Sequence, residues 1–313
     1  MRKESKIQNN VAMANVQGYH QGGGYGEGYA FAGFKCNKYF RSDRAMKLND
    51  NFERPDGFPL QGYGLEIETE CSSISNQTVL AEVYDKIIFK LFPADLFKMQ
   101  RDASLGGRTS AECITQVMTK AFIRNHYKDF KTMFNTYFPA FGISADSFHT
   151  SCGMHVNISV ACFGDTTEQA HEAIRKLFYI VNKHYSIMLP LFYRDPSRTH
   201  WCGQMHYQNA RYMNLNNQPN DHTKCMNLSH INAGRVEIRL VGGQKNYACF
   251  RNTMESIFHL VDRVKTLSWD DCNNLVKLFK GCNQYVFDRL TICGLDETTL
   301  EEIKQTVKTE ELL

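Results

Sequence analysis

The stretch that decides the fold is GYGLEIETEC, residues 62–71, in which apolar and acidic side chains alternate. In an extended chain, Leu65 and Ile67 lie on one side and Glu66 and Glu68 lie on the other. This alternation is typical of a strand that packs one face on a hydrophobic core. The stretch therefore predicts a sheet strand whose second face carries carboxylates.

Two later segments show the same alternation on strands that are otherwise apolar. His155 and Asn157 alternate with apolar residues in one segment, and Arg235, Glu237 and Arg239 do so in the other. Strands are predicted over 62–71, 110–117, 152–161, 211–216, 224–230 and 234–241. An exposed antiparallel sheet face more often carries lysine, threonine and mixed long polar side chains. Two interpretations stay open for these polar side chains, a metal or anion site and an ordinary solvated face.

Longer segments with apolar residues at three- and four-residue spacing predict amphipathic helices. The predicted helices span 77–92, 119–138, 168–189, 247–267, 272–280 and 297–310. The third has N-capping chemistry at its start, because Asp165, Thr166 and Thr167 precede its apolar stripe. These strands and helices together predict an α+β domain, with a largely antiparallel sheet and helices packed on one face.

The composition excludes several classes of protein. The chain has 313 residues, with 36 lysines and arginines against 33 aspartates and glutamates. The resulting net charge of +3 gives no indication of nucleic-acid binding, and the apolar runs are too short to span a bilayer. Because the first residues are polar and no apolar segment follows them, we predict no secretory signal and a cytoplasmic location.

The 11 cysteines agree with a reducing compartment. Their number is odd and none forms a Cys-x-x-Cys pair, so neither a disulfide framework nor a zinc site is predicted. Cys152 lies three residues before His155, which places the two side chains on opposite faces of one strand and argues against a thiol–imidazole dyad. We expect most of the thiols to be reduced and buried.

The segment 17–33 differs in composition from the rest of the chain. It holds seven glycines with interleaved tyrosines, and such a segment cannot offset the entropic cost of ordering by burial. Residues 24–28 match a phosphate-binding loop only weakly, because no strand precedes them and no apolar helix follows. We predict a flexible arm and lead-in over residues 1–60 and one domain over residues 61–313.

Five segments, in order along residues 62–260, resemble the motifs of one enzyme family. The segments are Gly64-Leu65-Glu66-Ile67-Glu68, Asp102-Ala103-Ser104-Leu105 followed by Glu112, Gly153-Met154-His155, Arg211-Tyr212-Met213-Asn214-Leu215-Asn216 and Gly234-Arg235-Val236-Glu237-Ile238-Arg239. The first, third and fifth resemble strands of glutamine synthetase. The ensemble is similar to the amidoligase family, smaller relatives of glutamine synthetase and gamma-glutamylcysteine ligase. Asn157 and Gln116 depart from the usual pattern, which has histidine and proline at those two positions.

The resemblance implies a glutamine-synthetase-like catalytic core over residues 61–313, which would form an amide between a carboxylate and an amine. Phosphoryl transfer from ATP would make an acyl phosphate, and the amine would then displace phosphate. The implied cofactors are ATP and Mg²⁺ or Mn²⁺. The implied partners are a carboxylate and an amine on a small molecule, a peptide or a protein side chain, with no membrane and no nucleic acid.

The same resemblance implies roles for residues on the predicted polar face. The implied metal ligands are Glu66, Glu68, Glu112, His155 and Glu237, the implied nucleotide contacts are His155, Asn157, Asn214 and Arg211, and the implied catalytic groups are Arg239, Arg211 and Glu68. Carboxylate oxygens and an imidazole suit Mg²⁺ or Mn²⁺. Arginine suits the oxygens of a phosphoryl group or a carboxylate.

Two other functions could use the same residues. A metal-dependent hydrolase would activate water with the glutamates and His155. A non-catalytic binding module would hold a cation or a basic peptide on the acidic face. Arg211 and Arg239 favour the ligase, because a ligase must also neutralise the charge of phosphates. A hydrolase would more often add further histidine or aspartate ligands.

Overall fold

The part of the chain with a described structure begins where the predicted lead-in ends. The computed structural model describes residues 61–74, 77–93, 96–100, 109–146 and 152–308. The arm and lead-in predicted over residues 1–60 therefore lie outside the described residues. The segment 102–105, one of the five that carry the family resemblance, lies outside them as well.

One long strand in the middle of the sheet pairs with three other strands. The strands are β1 (Tyr63–Cys71), β2 (Phe97–Gln100), β3 (Ser110–Thr115), β4 (Ile143–Ser144), β5 (Met154–Ser159), β6 (Met226–Asn227) and β7 (Arg235–Ile238). They form an open sheet in the order β2-β3-β1-β5-β7-β6, and β4 pairs with the end of β1. All of these pairings are antiparallel. The alternating strand at residues 62–71 is thus the centre of the sheet.

The described residues form three long helices and several short ones. They are α1 (Gln77–Leu91), α2 (Lys120–Asn125), α3 (Tyr127–Thr132), α4 (Phe138–Ala140), α5 (Thr167–Lys183), α6 (Tyr185–Leu191), α7 (Tyr247–Val264), α8 (Leu275–Phe279), α9 (Gln284–Leu290) and α10 (Glu297–Lys304). The helices α5 and α7 have side-chain N-caps, since Thr166 accepts a hydrogen bond from the Gln169 N–H and Asn246 from the Cys249 N–H. Within the described ranges, each helix is too short or too polar to cross a lipid bilayer.

The apolar face of the sheet packs against helices. Leu65 of β1 is completely buried on this face. Thr69 Oγ1 lies 2.6 Å from the hydroxyl of Tyr84 in α1. The ring of Tyr63 packs edge-on against Phe258 in α7, with 4.8 Å between the ring centroids. The ten cysteines of the described residues are buried and free, in agreement with the prediction of reduced thiols.

Most of the predicted elements are present in the structure. It confirms the α+β class, the antiparallel sheet and strands within 62–71, 110–117, 152–161, 224–230 and 234–241. The short strands β2 and β4 and the helix α9 were not among the predicted elements, because they are too brief to establish a periodic pattern. The helix predicted over 168–189 is divided at His184, whose ring nitrogen Nε2 lies 3.0 Å from the Cys272 carbonyl.

The strand predicted over 211–216 is wrong. This segment forms two short 3-10 turns, Ala210–Tyr212 and Leu215–Asn217. Asn214 Oδ1 accepts a hydrogen bond from the backbone N–H of Asn216 at 3.0 Å. Local side-chain bonds of this kind compete with a strand ladder, which explains why an asparagine-rich segment turns here.

A buried carboxylate joins the helices that support the sheet. Glu255 of α7 is 1% exposed and accepts hydrogen bonds from Arg124 Nε at 2.9 Å and Nη2 at 2.6 Å. Its other donors are the Tyr127 hydroxyl at 2.6 Å and Asn283 Nδ2 at 2.8 Å. These residues link α7 to α2, to α3 and to the start of α9. Burial and the neighbouring carboxylate raise the pKa of Tyr127 well above its ordinary value, which keeps its hydroxyl a donor.

We predict that Glu255→Ala lowers the free energy of unfolding by ~3 kcal/mol, because it leaves buried donors without their shared acceptor. Glu301→Ala is the matched control, since Glu301 pairs with Lys304 at 3.1 Å on the exposed surface. It should change the stability by less than ~0.5 kcal/mol. Urea denaturation of both variants measures the difference, and equal losses would contradict the structural role of Glu255.

Candidate metal and anion site

Strand pairing brings charged side chains to the polar face, which is the sheet face opposite Leu65. Glu68 of β1 lies directly opposite Glu112 of β3, and Glu66 lies opposite His155 of β5. Residues that face each other across antiparallel strands project to the same side of the sheet. Two carboxylates in this arrangement repel each other unless a cation or a donor lies between them. The register therefore places two carboxylates where a cation or a hydrogen-bond donor is needed beside them.

Three of these residues form a compact cluster, which we call the cation cluster. It consists of Glu66, Glu112 and His155, whose ligand atoms lie within 4.8 Å of one another. Two carboxylate oxygens and an imidazole nitrogen form a donor set that suits Mg²⁺ or Mn²⁺. Glu66 and Glu112 are partly exposed, whereas His155 is buried, so an ion could approach from the carboxylate side.

The side chain of Asn157 is bonded to a member of the cation cluster and carries an oxygen atom that is a potential metal ligand. It is 2% exposed, and its Nδ2 donates to Glu66 Oε1 at 2.9 Å. Because the amide nitrogen must face the carboxylate, the orientation of the side chain is determined. Its buried Oδ1 has no hydrogen-bond partner in the described part of the chain. An unused buried acceptor on a side chain that is bonded to Glu66 fits a site for a hard cation.

Glu66 is held in its ionised form. Burial by itself would raise the pKa of this carboxyl group, but the hydrogen bond and charge of His155 act in the opposite direction. The positive charges of Arg235 and Arg239 add to that effect, and the pKa falls to about 2. Glu66 is therefore a carboxylate, the form that binds cations, throughout the physiological pH range.

Glu68 lies beside the cation cluster but is bonded differently. Its Oε2 accepts the backbone N–H of Gly153 at 2.5 Å, and its Oε1 is 3.7 Å from His155 Nε2. A Cβ atom on Gly153 would lie 3.4 Å from that same Oε2, which is an ordinary van der Waals distance. The predicted ligand Glu68 is thus next to the cluster, with one of its oxygens already engaged by the backbone.

Glu237 and Arg239 form a buried pair at the other side of His155. Arg239 Nη1 lies 2.5 Å from Glu237 Oε1, and Asn227 Nδ2 donates to Glu237 Oε2 at 3.1 Å. Burial by itself would lower the pKa of Arg239, but the charge and hydrogen bond of Glu237 together with the charges of Glu66 and Glu68 raise that pKa above its ordinary value. Arg239 Nε also donates to the carbonyl of His222 at 3.1 Å. Both oxygens of Glu237 therefore hold neighbours in place, and Glu237 lies outside the cation cluster.

The structure does not bring two of the predicted site residues to the cation cluster. Arg211 is exposed, and its guanidinium carbon lies 6.0 Å from the ring centroid of Trp269. Asn214 is exposed and caps its own 3-10 turn. Among the described residues, neither forms a hydrogen bond or an ion pair with the cluster. Both residues were assigned from a segment that was predicted to be a strand and is not one.

Three polar residues near the cluster were not assigned a role from the sequence. Arg235 shares the alternation of β7, so its position on the polar face could have been used. Asn227 is identified only by the pairing of β6 with β7, which sets it opposite Glu237. Arg194 lies in an irregular segment after α6, and no periodic pattern indicates where its side chain lies.

Comparison with known proteins does not identify a relative. No family model matches the chain, and no curated protein matches its sequence.

We predict that the chain binds Mn²⁺ through the cation cluster. Glu66→Gln and Glu112→Gln keep the side-chain shape but remove a charged ligand, so each should weaken Mn²⁺ binding at least about tenfold. Glu70→Gln is the matched control, because Glu70 follows on the same face of β1 but lies outside the cluster. The paramagnetic resonance signal of free Mn²⁺ measures the affinity. Equal affinities in all three variants would contradict the assignment of these ligands.

Proposed function

We propose that this protein is an ATP- and divalent-cation-dependent ligase that joins a carboxylate to an amine. The proposal rests on the proximity of a cation cluster and a buried arginine on one sheet face. Arg239 Nη1 lies 3.5 Å from Nδ1 of His155, a member of the cluster. The motif resemblance to amidoligases supports the same activity, and a glutamine-synthetase-like core is part of the proposal.

The polar face has the charges that this reaction requires. A carboxylate does not react with an amine until its oxygen becomes part of a better leaving group, and phosphoryl transfer from ATP achieves this. A bound Mg²⁺ or Mn²⁺ would neutralise phosphate oxygens during that transfer. Glu66 and Glu112 would hold the cation. Without it, the same carboxylates would repel ATP.

Arg239 is held in an orientation that suits an anionic ligand. Its Nε is bonded to the His222 carbonyl and its Nη1 to Glu237. Its Nη2 makes no hydrogen bond within the described residues and is available to an oxygen of a phosphoryl group or a carboxylate. Because Glu237 and His222 hold the guanidinium, little side-chain freedom would be lost when the anion binds.

Arg239 also distinguishes the ligase from the two other functions. A hydrolase that activates water needs its cation ligands, but it has no general need for a buried guanidinium beside them. A module that binds basic peptides would be weakened by a buried positive charge on the same face. Within the described residues the cation cluster has one histidine, whereas a hydrolase would more often have further histidine or aspartate ligands.

We predict that Mg-ATP raises the thermal stability of the full chain, because a ligand that binds only the folded state stabilises that state. ATP in excess chelator should have no such effect, because the carboxylates repel ATP when no cation is bound. Arg239→Lys should weaken Mg-ATP binding by about 10- to 100-fold, since a hydrogen bond to a charged group is worth ~1.5–3 kcal/mol. The same variant should bind Mn²⁺ alone with unchanged affinity. Calorimetric titration measures both affinities.

Arg251→Lys is the control, because Arg251 stacks on Tyr285 at 3.6 Å from the ring centroid, among the helices. It should bind Mg-ATP as the wild type does. If the charge-swapped variant Glu237→Arg/Arg239→Glu bound Mg-ATP with wild-type affinity, the pair would be only structural and the proposed function would be refuted.

A further inference from the structure

The residues that follow α6 adopt a backbone conformation that is costly. Tyr193 has a φ of 57°, and it is the one non-glycine residue with positive φ in the described ranges. A bulky side chain in this left-handed region is strained and persists only where surrounding contacts impose it. We call residues 192–194 the clasp, because they form hydrogen bonds with a second segment of the chain, residues 239–242.

The residue after Tyr193 is Arg194, whose guanidinium lies against the chain that leaves β7. Its Nε donates to the carbonyl of Leu240 at 3.3 Å. Its Nη2 donates to the carbonyl of Arg239 at 3.2 Å and also to that of Val241. Arg194 is 9% exposed, and three consecutive carbonyl dipoles stabilise its charge. One guanidinium therefore holds the backbone of Arg239 and of the two residues after it.

The backbone of the clasp holds the same segment. The N–H of Gly242 donates to the carbonyl of Phe192 at 2.9 Å. A Cβ atom on Gly242 would lie 2.1 Å from the carbonyl oxygen of Tyr193, so no larger residue fits there. The clasp and residues 239–242 are thus in a contact that depends on glycine.

The clasped segment also determines the position of the chain at the start of β5. Gly242 forms an isolated antiparallel bridge with Gly153, whose N–H donates to Glu68 Oε2 at 2.5 Å. A Cβ atom on Gly153 would lie 3.0 Å from Arg194 Nη2 and 3.4 Å from Glu68 Oε2. Arg194 and Glu68 therefore approach the same glycine.

We propose that Arg194 is a positioning residue for two groups of the polar face, Arg239 and Glu68. It acts on Arg239 through the carbonyl of that residue, and on Glu68 through Gly153. The inference rests on the proposed function only where Arg239 is taken as the anion contact. A lysine carries a single ammonium group and cannot span three carbonyls. We therefore expect Arg194→Lys, like Arg194→Met, to leave the side chains of Arg239 and Glu68 less firmly positioned.

Two proton signals of the full chain test this without nucleotide or metal. One is the amide proton of Gly153, and the other is the Nε–H proton of Arg239, which is bonded to His222. In Arg194→Met and Arg194→Lys we expect the Gly153 signal to move upfield. We also expect the Arg239 proton to exchange with water about tenfold faster, which corresponds to ~1.4 kcal/mol.

Arg263→Met is the matched control. Arg263 lies at the end of α7, and its guanidinium donates to the carbonyl of Lys277 in α8. Its removal should leave both proton signals unchanged. Unchanged signals in a folded Arg194→Met protein would overturn the proposal. Loss of cooperative unfolding in both Arg194 variants would overturn it too, because Arg194 would then hold the whole fold. Neither signal involves ATP. Failure of the wild-type chain to bind Mg-ATP would therefore refute the proposed function, and the two signals would still show whether Arg194 positions Arg239 and Glu68.

Discussion

Repulsion between carboxylates that strand pairing holds side by side is the constraint on which the rest of the structure depends. Glu68 and Glu112 face each other across β1 and β3, and Glu66 lies next to them on the same face. Water screens such charges at an open surface, but these groups are partly or fully buried and need a cation or a donor nearby. The backbone N–H of Gly153 donates to Glu68, and the positive charge of Arg239 stabilises Glu66 and Glu68.

A face with this much buried charge does not stabilise itself, so its support comes from the opposite layer and from the ends of its strands. On the apolar side, Tyr63 packs against α7, and Glu255 joins α7 to its neighbouring helices. At the end of β7, the clasp contains the strained residue Tyr193, and its Arg194 donates a hydrogen bond to the carbonyl of Arg239. The strained residue and the buried hydrogen bonds of Arg194 thus lie beside the chain that carries Arg239.

Sequence patterns predicted the structure well where one physical cause dominated. β1, β5 and β7 each alternate with period two, and a buried face on one side is sufficient to produce that pattern. The prediction failed at 211–216, where asparagine side chains bond to nearby backbone and turn the chain. Arg211 was assigned to the site from that segment, and it lies instead beside Trp269.

The sequence by itself determined which side chains of the central strands lie on the polar face, because alternation in a strand does not depend on the neighbouring strands. Only the tertiary structure decided which of them meet. Strand order and register place Glu66 opposite His155. They also place Glu237 in an ion pair with Arg239, outside the cation cluster. The contact of Arg194 with the chain after β7 joins irregular segments far apart in sequence, and no local periodicity records such a contact.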